Sequence, residues 1–166
     1  MPLLDMAIIH RVVVGLLMSF ALPVSAQSLE YLINSGTVPK EPSSPIYRKV
    51  LYSRIPDGAN ELSIFLSRRG AGTRTPIHKH TNVAISCLIE GEETFYIENG
   101  KPRRVVAPHC FRMPPGIRMM SVMTGKQDTI YYSIFTGEKE FSYWDVTEKG
   151  ISAQMSDDFG RFDRRH

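Results

Sequence analysis

Two histidines separated by a single residue are the feature of this sequence that most directly suggests chemistry. They lie in the segment Pro76-Ile77-His78-Lys79-His80. In an extended strand alternate side chains share a face, so both imidazoles project the same way, about 6.6 Å apart along the chain. Neutral imidazole binds Zn, Cu, Ni and Fe, and two such ligands on one face indicate the beginning of a transition-metal site.

Short strands must position these histidines, because the middle of the chain consists of short runs rich in β-branched and aromatic residues. Turn signals such as Pro56-Asp57-Gly58 separate the runs, and Asn99-Gly100 is typical of a hairpin turn. Evenly spaced short strands predict an all-β sandwich or barrel. The predicted strands are 50–53, 61–67, 94–97, 104–106, 110–113, 120–123 and 129–135.

The order of these motifs resembles the cupin family, whose members are small antiparallel β-barrels of the jelly-roll kind. The family's first motif is a His-x-His pair, a glutamate and then a glycine, and His78, His80 and Gly91 match three of these positions. Its second motif contains Pro-x-Gly before a further histidine, and Pro114 and Gly116 match the Pro-x-Gly. The resemblance implies an all-β, cupin-type antiparallel jelly-roll barrel in a single domain.

Two of the four metal ligands usual in the family are replaced in this chain. Ala84 stands at the glutamate position and Met119 at the position of the later histidine. The resemblance therefore implies a metal site of His78, His80 and Met119, whose soft thioether suits copper better than the ions that cupins commonly hold. The alternative is a dry apolar pocket with no metal. The identity of a metal stays open among Cu, Zn, Fe and Ni.

The resemblance also implies a ligand pocket inside the barrel, where aromatic and aliphatic groups combine with a few polar ones. Arg74, just before the histidine pair, and Arg118, beside Met119, could pair with a carboxylate on a ligand. The alternative for both arginines is a solvated rim. The other predicted lining residues are Ser86, Phe65, Phe95, Phe111, Met113 and one of Tyr131 and Tyr132.

The sequence contains two cysteines, Cys87 and Cys110. Strand alternation puts both on the outward face, if Ala84 and Phe111 face inward. In the jelly roll that the resemblance implies, their strands are neighbours, which allows a cross-strand disulfide. Two separate thiols are the alternative.

The first 26 residues have the organisation of a secretory signal peptide. An apolar run at 12–22 follows His10-Arg11 and precedes the small residues Val24-Ser25-Ala26. We expect cleavage before Gln27 and export to the periplasm or the medium, with an uncleaved membrane anchor as the alternative. No later segment is long and apolar enough to span a bilayer, so the cleaved chain is not expected to stay in the membrane.

After the predicted signal, the sequence indicates one domain with an extension at each end. Residues 27–47 are rich in proline and serine and predict an N-terminal arm, with a short helical turn at 29–33. Residues 48–145 form the predicted barrel and residues 146–166 a polar C-terminal tail.

Composition narrows the function without selecting one. The net charge is only +3, and basic doublets such as Arg68-Arg69 are scattered and typical of solvated surface, which argues against nucleic-acid binding. Three functions are consistent with a cupin barrel, and a homodimer is a reasonable expectation. The first is binding of a small organic molecule. The second is catalysis with His78 and His80, as a metal-dependent oxygenase, decarboxylase or isomerase or as a metal-free isomerase, and the third is copper handling.

Overall fold

The computed structural model describes residues 27–54, 61–137 and 144–151, in which one helix and ten strands form. The helix is α1 Leu29–Asn34. The strands are β1 Tyr47–Arg54, β2 Glu61–Arg69, β3 His78–His80, β4 Ala84–Glu90, β5 Glu92–Ile97, β6 Arg103–Val106, β7 His109–Met113, β8 Met119–Val122, β9 Thr129–Gly137 and β10 Trp144–Val146. They form two five-stranded antiparallel sheets, the first in the order β1-β2-β9-β4-β7 and the second in the order β10-β3-β8-β5-β6.

Strands that are distant in sequence pair in both sheets, as in a jelly roll. β2 pairs with β9, and β3 lies between β8 and β10. Inward apolar side chains of both sheets form one core between them. The predicted all-β jelly-roll barrel is confirmed. The core residues are Phe65, Ala84, Leu88, Phe95, Val105, Phe111, Met113, Met119, Tyr131 and Phe135.

The predicted hairpin at Asn99-Gly100 joins β5 to β6, and its loop is longer than two residues. β5 ends at Ile97 and β6 begins at Arg103, so the loop spans 98–102. Asn99 has a positive φ of 57°, a conformation that asparagine tolerates better than most residues. The Gly100 N–H donates to the Ile97 carbonyl oxygen over 2.9 Å and closes the turn.

The N-terminal arm carries α1 onto the outward face of the second sheet. Ser28 caps the helix, because its Oγ accepts a hydrogen bond from the Tyr31 N–H over 3.2 Å. The buried side chains Leu29 and Leu32 belong to a second apolar cluster. Its other members include residues that precede β3 or face outward from β8, namely Ile77, Met120 and Val122.

The buried ion pair of Arg74 and Glu148, which we call the clasp, holds the arm and the segment after β10 against the barrel. The side chain of Arg74 is fully buried, and its Nη1 and Nη2 donate to the two carboxylate oxygens of Glu148 over 2.8 and 2.7 Å. Its Nε donates to the carbonyl of Pro39 over 2.6 Å, and Nη2 also donates to the carbonyl of Lys40. The Glu148 carboxylate further accepts a hydrogen bond from the Ile77 N–H over 2.8 Å. The start of the predicted C-terminal tail is therefore packed against the barrel.

A disulfide joins Cys87 of β4 to Cys110 of β7. The two residues are direct register partners in the first sheet. Both lie at outward positions, because their neighbours Ser86 and Phe111 are buried on the inward face. Of the two alternatives that the sequence allowed, the structure contains the bridge.

The predicted signal peptide, residues 1–26, lies outside the described residues, and so does the tail from 152 to 166. Within 27–54, 61–137 and 144–151, no helix has the length and apolar character needed to cross a membrane.

Candidate functional site

The histidine pair lies inside the barrel. β3 alternates in burial, so His78 and His80 face the interior and are 3% and 1% exposed. Their ring centroids are 4.9 Å apart and their planes are nearly perpendicular, at 88°. The ring of His80 also lies 5.5 Å from that of Phe135. The predicted projection of both imidazoles from one face thus brings them into direct contact.

A hydrogen bond fixes the tautomer of neutral His78. Its Nδ1 lies 2.8 Å from the carbonyl oxygen of Pro76, which can only accept, so Nδ1 carries the proton and donates. Nε2 is then the nitrogen with a lone pair, able to accept a proton or to bind a metal. Burial lowers the pKa of His78 well below its usual value, and the nearby His80, Arg69 and Arg48 act in the same direction. His78 is therefore neutral at physiological pH.

Met119 lies inside the barrel on β8, opposite His78 of β3. It is the register partner of His78 between β3 and β8 and is fully buried. Directly opposite residues share a face, with Cβ atoms about 5 Å apart. Ala84 is also fully buried at the start of β4. At the position of the family's glutamate, this chain therefore presents only a methyl group to the interior.

These residues do not fit the four-ligand metal set usual in the family. His78 and His80 supply two nitrogens, Met119 supplies a thioether, and Ala84 supplies nothing. Within the described part of the chain, no group of three or more His, Cys, Asp or Glu side chains is arranged to hold a metal ion. Two imidazoles and a thioether are ligands that suit a soft metal ion.

The predicted pocket residues on the strands do meet inside the barrel, together with an unexpected number of serines. Phe95, Phe111 and Met113 are buried members of the core, and the register selects Tyr131 over Tyr132 as the inward tyrosine. Hydroxyl groups are costly to bury without partners, so their number marks this interior as more polar than an ordinary core. The buried serines of the two sheets are Ser63, Ser67, Ser86, Ser121 and Ser133.

Two arginines that sequence reasoning missed lie at one end of this interior. Arg69 is fully buried, and its Nε donates to the hydroxyl of Tyr131 over 2.8 Å, while Nη1 donates to the Ser43 carbonyl over 2.5 Å. The half-buried Arg48 donates from Nε to Ser67 Oγ over 3.3 Å. Burial lowers the pKa of Arg48 to about 10, so it stays charged at neutral pH. The doublet Arg68-Arg69 suggested solvated surface, yet strand alternation turns its second member inward.

Glu93 is a second interior group that the sequence analysis missed. It is buried on β5 and shares the inward face with Phe95. Burial raises the pKa of Glu93 to about 7, although Ser121 donates a hydrogen bond to it and Arg69 attracts its charged form. The alternation of β5 is the signal that could have identified it.

The expectation that Arg74 and Arg118 line the pocket is corrected by the structure. Arg74 is bridged to Val122, whose side chain lies in the outer cluster beneath α1, so the arginine points away from the barrel interior. Arg118 precedes the inward Met119 and therefore points outward, where it pairs with Glu98 over 2.7 Å and with Glu30 of α1. Both arginines attach outer segments to the barrel.

Comparison with known proteins finds similarity in fold. No protein-family model matches the sequence, and no curated protein sequence matches it. The DMSP lyase DddQ from Ruegeria pomeroyi DSS-3 is similar with a TM-score of 0.51 and 21% identity, over 62% of this chain and 52% of that one. This chain thus spans about half the length of that lyase.

Two further solved structures are similar at lower scores. An uncharacterized conserved protein with a double-stranded beta-helix domain from Klebsiella pneumoniae subsp. pneumoniae MGH 78578 has a TM-score of 0.49 and 20% identity, over 66% of this chain and 85% of that one. An RmlC-like cupin family protein from Methanocaldococcus jannaschii has a TM-score of 0.46 and 14% identity, over 55% and 81%. At such identities the likeness concerns the fold.

Proposed function

Because this chain has the cupin fold, we propose that its barrel binds a small organic acid between the histidine pair and the interior arginines. The observation that carries the proposal is the composition of the inward faces. An interior built only for stability would be apolar, whereas this one buries five serines, two histidines, a glutamate and an arginine. A cluster of such groups inside a barrel is typical of a pocket for a polar ligand.

The charge balance of the interior favours an anion. Arg48 and Arg69 bring two positive charges to the end of the barrel where Tyr131 and Ser67 are register partners. Glu93 supplies the carboxyl group among the buried inward residues of the described strands. Burial raises the pKa of Glu93 to about 7, so this carboxyl group is partly neutral at physiological pH. A ligand carboxylate at this end would gain charge-assisted hydrogen bonds in a setting of low dielectric constant.

The histidines give the opposite part of the ligand a neutral partner. Because Nδ1 of His78 donates to the Pro76 carbonyl, Nε2 is the acceptor nitrogen of the neutral ring. A hydroxyl or ammonium group of a ligand could donate to that nitrogen. The same lone pair could accept a proton during a reaction, so the enzyme hypothesis depends on the same residue as the binding hypothesis.

A panel of small carboxylic acids, each paired with the amide that lacks its carboxylate charge, tests the proposal by isothermal titration calorimetry. DMSP belongs in the panel, since a similarly folded enzyme is a DMSP lyase. We expect acids to bind and their amides not to bind. Arg48→Gln should weaken binding at least about tenfold, which corresponds to the loss of one charge-assisted hydrogen bond. Arg48→Lys should retain most of the affinity.

Arg104→Gln is the matched control, because Arg104 is an exposed arginine that pairs with Glu92 on the outside of the second sheet. It should bind the acids like the unmodified protein. Equal binding of acids and amides, or unchanged binding by Arg48→Gln, would contradict the proposal. Conversion of a bound acid, followed by NMR and lost in His78→Gln, would make the protein an enzyme.

Copper handling is the second candidate function, and a specific observation favours it. His78 lies directly opposite Met119, and the ring of His80 is 4.9 Å from that of His78, so two imidazoles and a thioether side chain occupy neighbouring inward positions. These ligands would bind a soft ion such as Cu(I). One equivalent of copper in protein purified without chelator, and its loss in Met119→Leu, would support this function over simple ligand binding.

We also propose that the chain is exported. The signal-like residues 1–26 and the Cys87–Cys110 disulfide support this, because disulfides persist in oxidising compartments. Mass spectrometry of protein from the cell envelope or the medium should find a chain that begins at Gln27. A chain that retains Met1 and stays in the cytoplasm would overturn the proposal.

A further inference from the structure

Glu93 is a buried acid in an interior that we expect to receive a second acid. It lies on β5 and is 3% exposed, with Val105 of β6 as its register partner. On its other side Ser121 of β8 donates a hydrogen bond to the carboxylate. Burial of an ionisable group is costly, so a buried carboxyl group inside a pocket is a candidate for a functional role.

Glu93 lies at the end of the barrel that holds Arg48 and Arg69, which we call the arginine end. Arg69 is the register partner of Thr129, and the Thr129 hydroxyl donates to the carbonyl oxygen of Glu92 over 3.0 Å. The start of β5 is therefore joined to the end of the strand that carries Arg69. The positive charge of this arginine attracts the ionised form of Glu93.

The histidine pair lies towards the opposite end of the barrel. His78 is the register partner of Met119, which pairs with Ile97 of β5. Ile97 and Glu93 are four residues apart in the strand, or about 13 Å along an extended chain. Glu93 is therefore a neighbour of the charged end of the proposed ligand and is remote from the end that would contact His78.

The arginine end combines two positive charges with one acidic group. Within the described strands, the charged and titratable side chains that share this end with the carboxyl group are Arg48, Arg69 and Tyr131. Its neighbours within the second sheet, Val105 and Ser121, carry no charge. A ligand carboxylate at this end would thus meet two guanidinium groups and one carboxylate of its own sign.

We propose that Glu93 takes up one proton when an acid binds at the arginine end, so that the barrel binds an organic anion together with H⁺. This inference rests on the proposed function. The ligand keeps its negative charge and pairs with Arg48 and Arg69, while the carboxylate of Glu93 accepts a proton from water and becomes neutral. Two carboxylates in one water-poor site repel each other, and protonation of one of them removes the repulsion. The proton returns to water when the ligand leaves.

The direction of the pH dependence follows from the groups at this end. Burial raises the pKa of Glu93 to about 7, and a bound carboxylate would raise it further. A free carboxylic acid has a pKa of about 4–5, so the ligand itself stays ionised above about pH 6. Arg48, with its pKa lowered to about 10, stays charged at neutral pH. The affinity for the anion should therefore fall as the pH rises above about 7, because Glu93 must then be protonated on binding.

Isothermal titration calorimetry with lactate and butyrate, the first monocarboxylic acids of the panel, measures this coupling. In buffers of different ionisation enthalpy at one pH, the change in observed heat gives the number of protons taken up per acid bound. We expect close to one proton at about pH 8 and almost none at about pH 5.5. Between about pH 6 and about pH 8.5 the Kd should rise about 30-fold.

Glu93→Gln should bind the acids without proton uptake and with an affinity independent of pH, because the amide has the shape of the neutral carboxyl group. Glu92→Gln is the matched control, since Glu92 is the preceding residue on β5 and pairs with the exposed Arg104. It should keep the proton uptake. Ser121→Ala is the second variant, should Glu93→Gln fail to fold. It removes a hydrogen bond that favours the ionised carboxylate, so the pH dependence should move to higher pH.

The outcomes separate this inference from the proposed function. Acid binding without proton uptake would overturn the inference and leave the proposed function standing. Proton uptake that persists in Glu93→Gln would overturn it as well, because another group would then accept the proton. Absence of binding by every acid of the panel at both low and high pH would overturn the inference together with the proposed function.

Discussion

The double substitution Ala84→Glu and Met119→His is expected to give the barrel a Zn²⁺ or Fe²⁺ affinity at least about 1,000-fold above that of the unmodified protein. Both positions are fully buried on inward faces, and Met119 lies opposite His78. The substitutions would complete a set of three imidazoles and one carboxylate. The larger glutamate would crowd the core at a cost of about 1–3 kcal/mol, which metal binding should offset.

Competition titrations against a chromophoric chelator measure the change in affinity. Ile85→Glu in place of Ala84→Glu is the control, because residue 85 adjoins residue 84 but points to the outward face. It should gain no affinity. No gain in the Ala84→Glu and Met119→His protein would mean that the four positions do not converge on one point. The unmodified protein provides the reference affinity. If the unmodified protein binds Cu(I) more tightly than Zn²⁺, that preference would support copper handling.

Glu148→Gln is expected to lower the free energy of unfolding by roughly 3–5 kcal/mol at neutral pH. The substitution removes the negative partner of Arg74, whose side chain has no exposed surface. The guanidinium would keep its neutral carbonyl acceptors on Pro39 and Lys40 but would be a buried charge without a counter-ion. Urea denaturation followed by circular dichroism measures the loss.

Glu92→Gln is the matched control for this clasp. Its partner Arg104 is 68% exposed, and exposed ion pairs contribute about 0–1 kcal/mol. Similar losses in the two variants would show that the burial of Arg74 does not set the strength of its ion pair. In Glu148→Gln we also expect faster hydrogen exchange in α1, because the clasp holds the arm through two carbonyl groups.

Local sequence patterns predicted the features that depend on strand alternation. The His-x-His spacing placed His78 and His80 on one face, and the alternation around Ala84 placed Cys87 outward. Alternation could not choose between Tyr131 and Tyr132, because the choice depends on pairing with β2. The register settles it, since Tyr131 is the partner of the inward Ser67.

The sequence could not predict which polar residues find distant partners. Arg74 and Glu148 lie 74 positions apart, and no local pattern connects them. The burial of Arg69 was equally hard to predict, since an arginine at the end of a strand is usually solvated. Its burial depends on Tyr131 and on the Ser43 carbonyl of the arm, both supplied by the tertiary fold.

The disulfide also helps to keep the edge of the first sheet from pairing with strands of other molecules. β7 is the last strand of the first sheet, and such an edge exposes backbone groups that can pair with strands of other molecules. The covalent bond between Cys110 and Cys87 ties this edge to β4, so β7 cannot separate and leave β4 open. In a chain that crosses a membrane before it folds, the order of events would matter. Early oxidation would secure the edge before other copies could add to it.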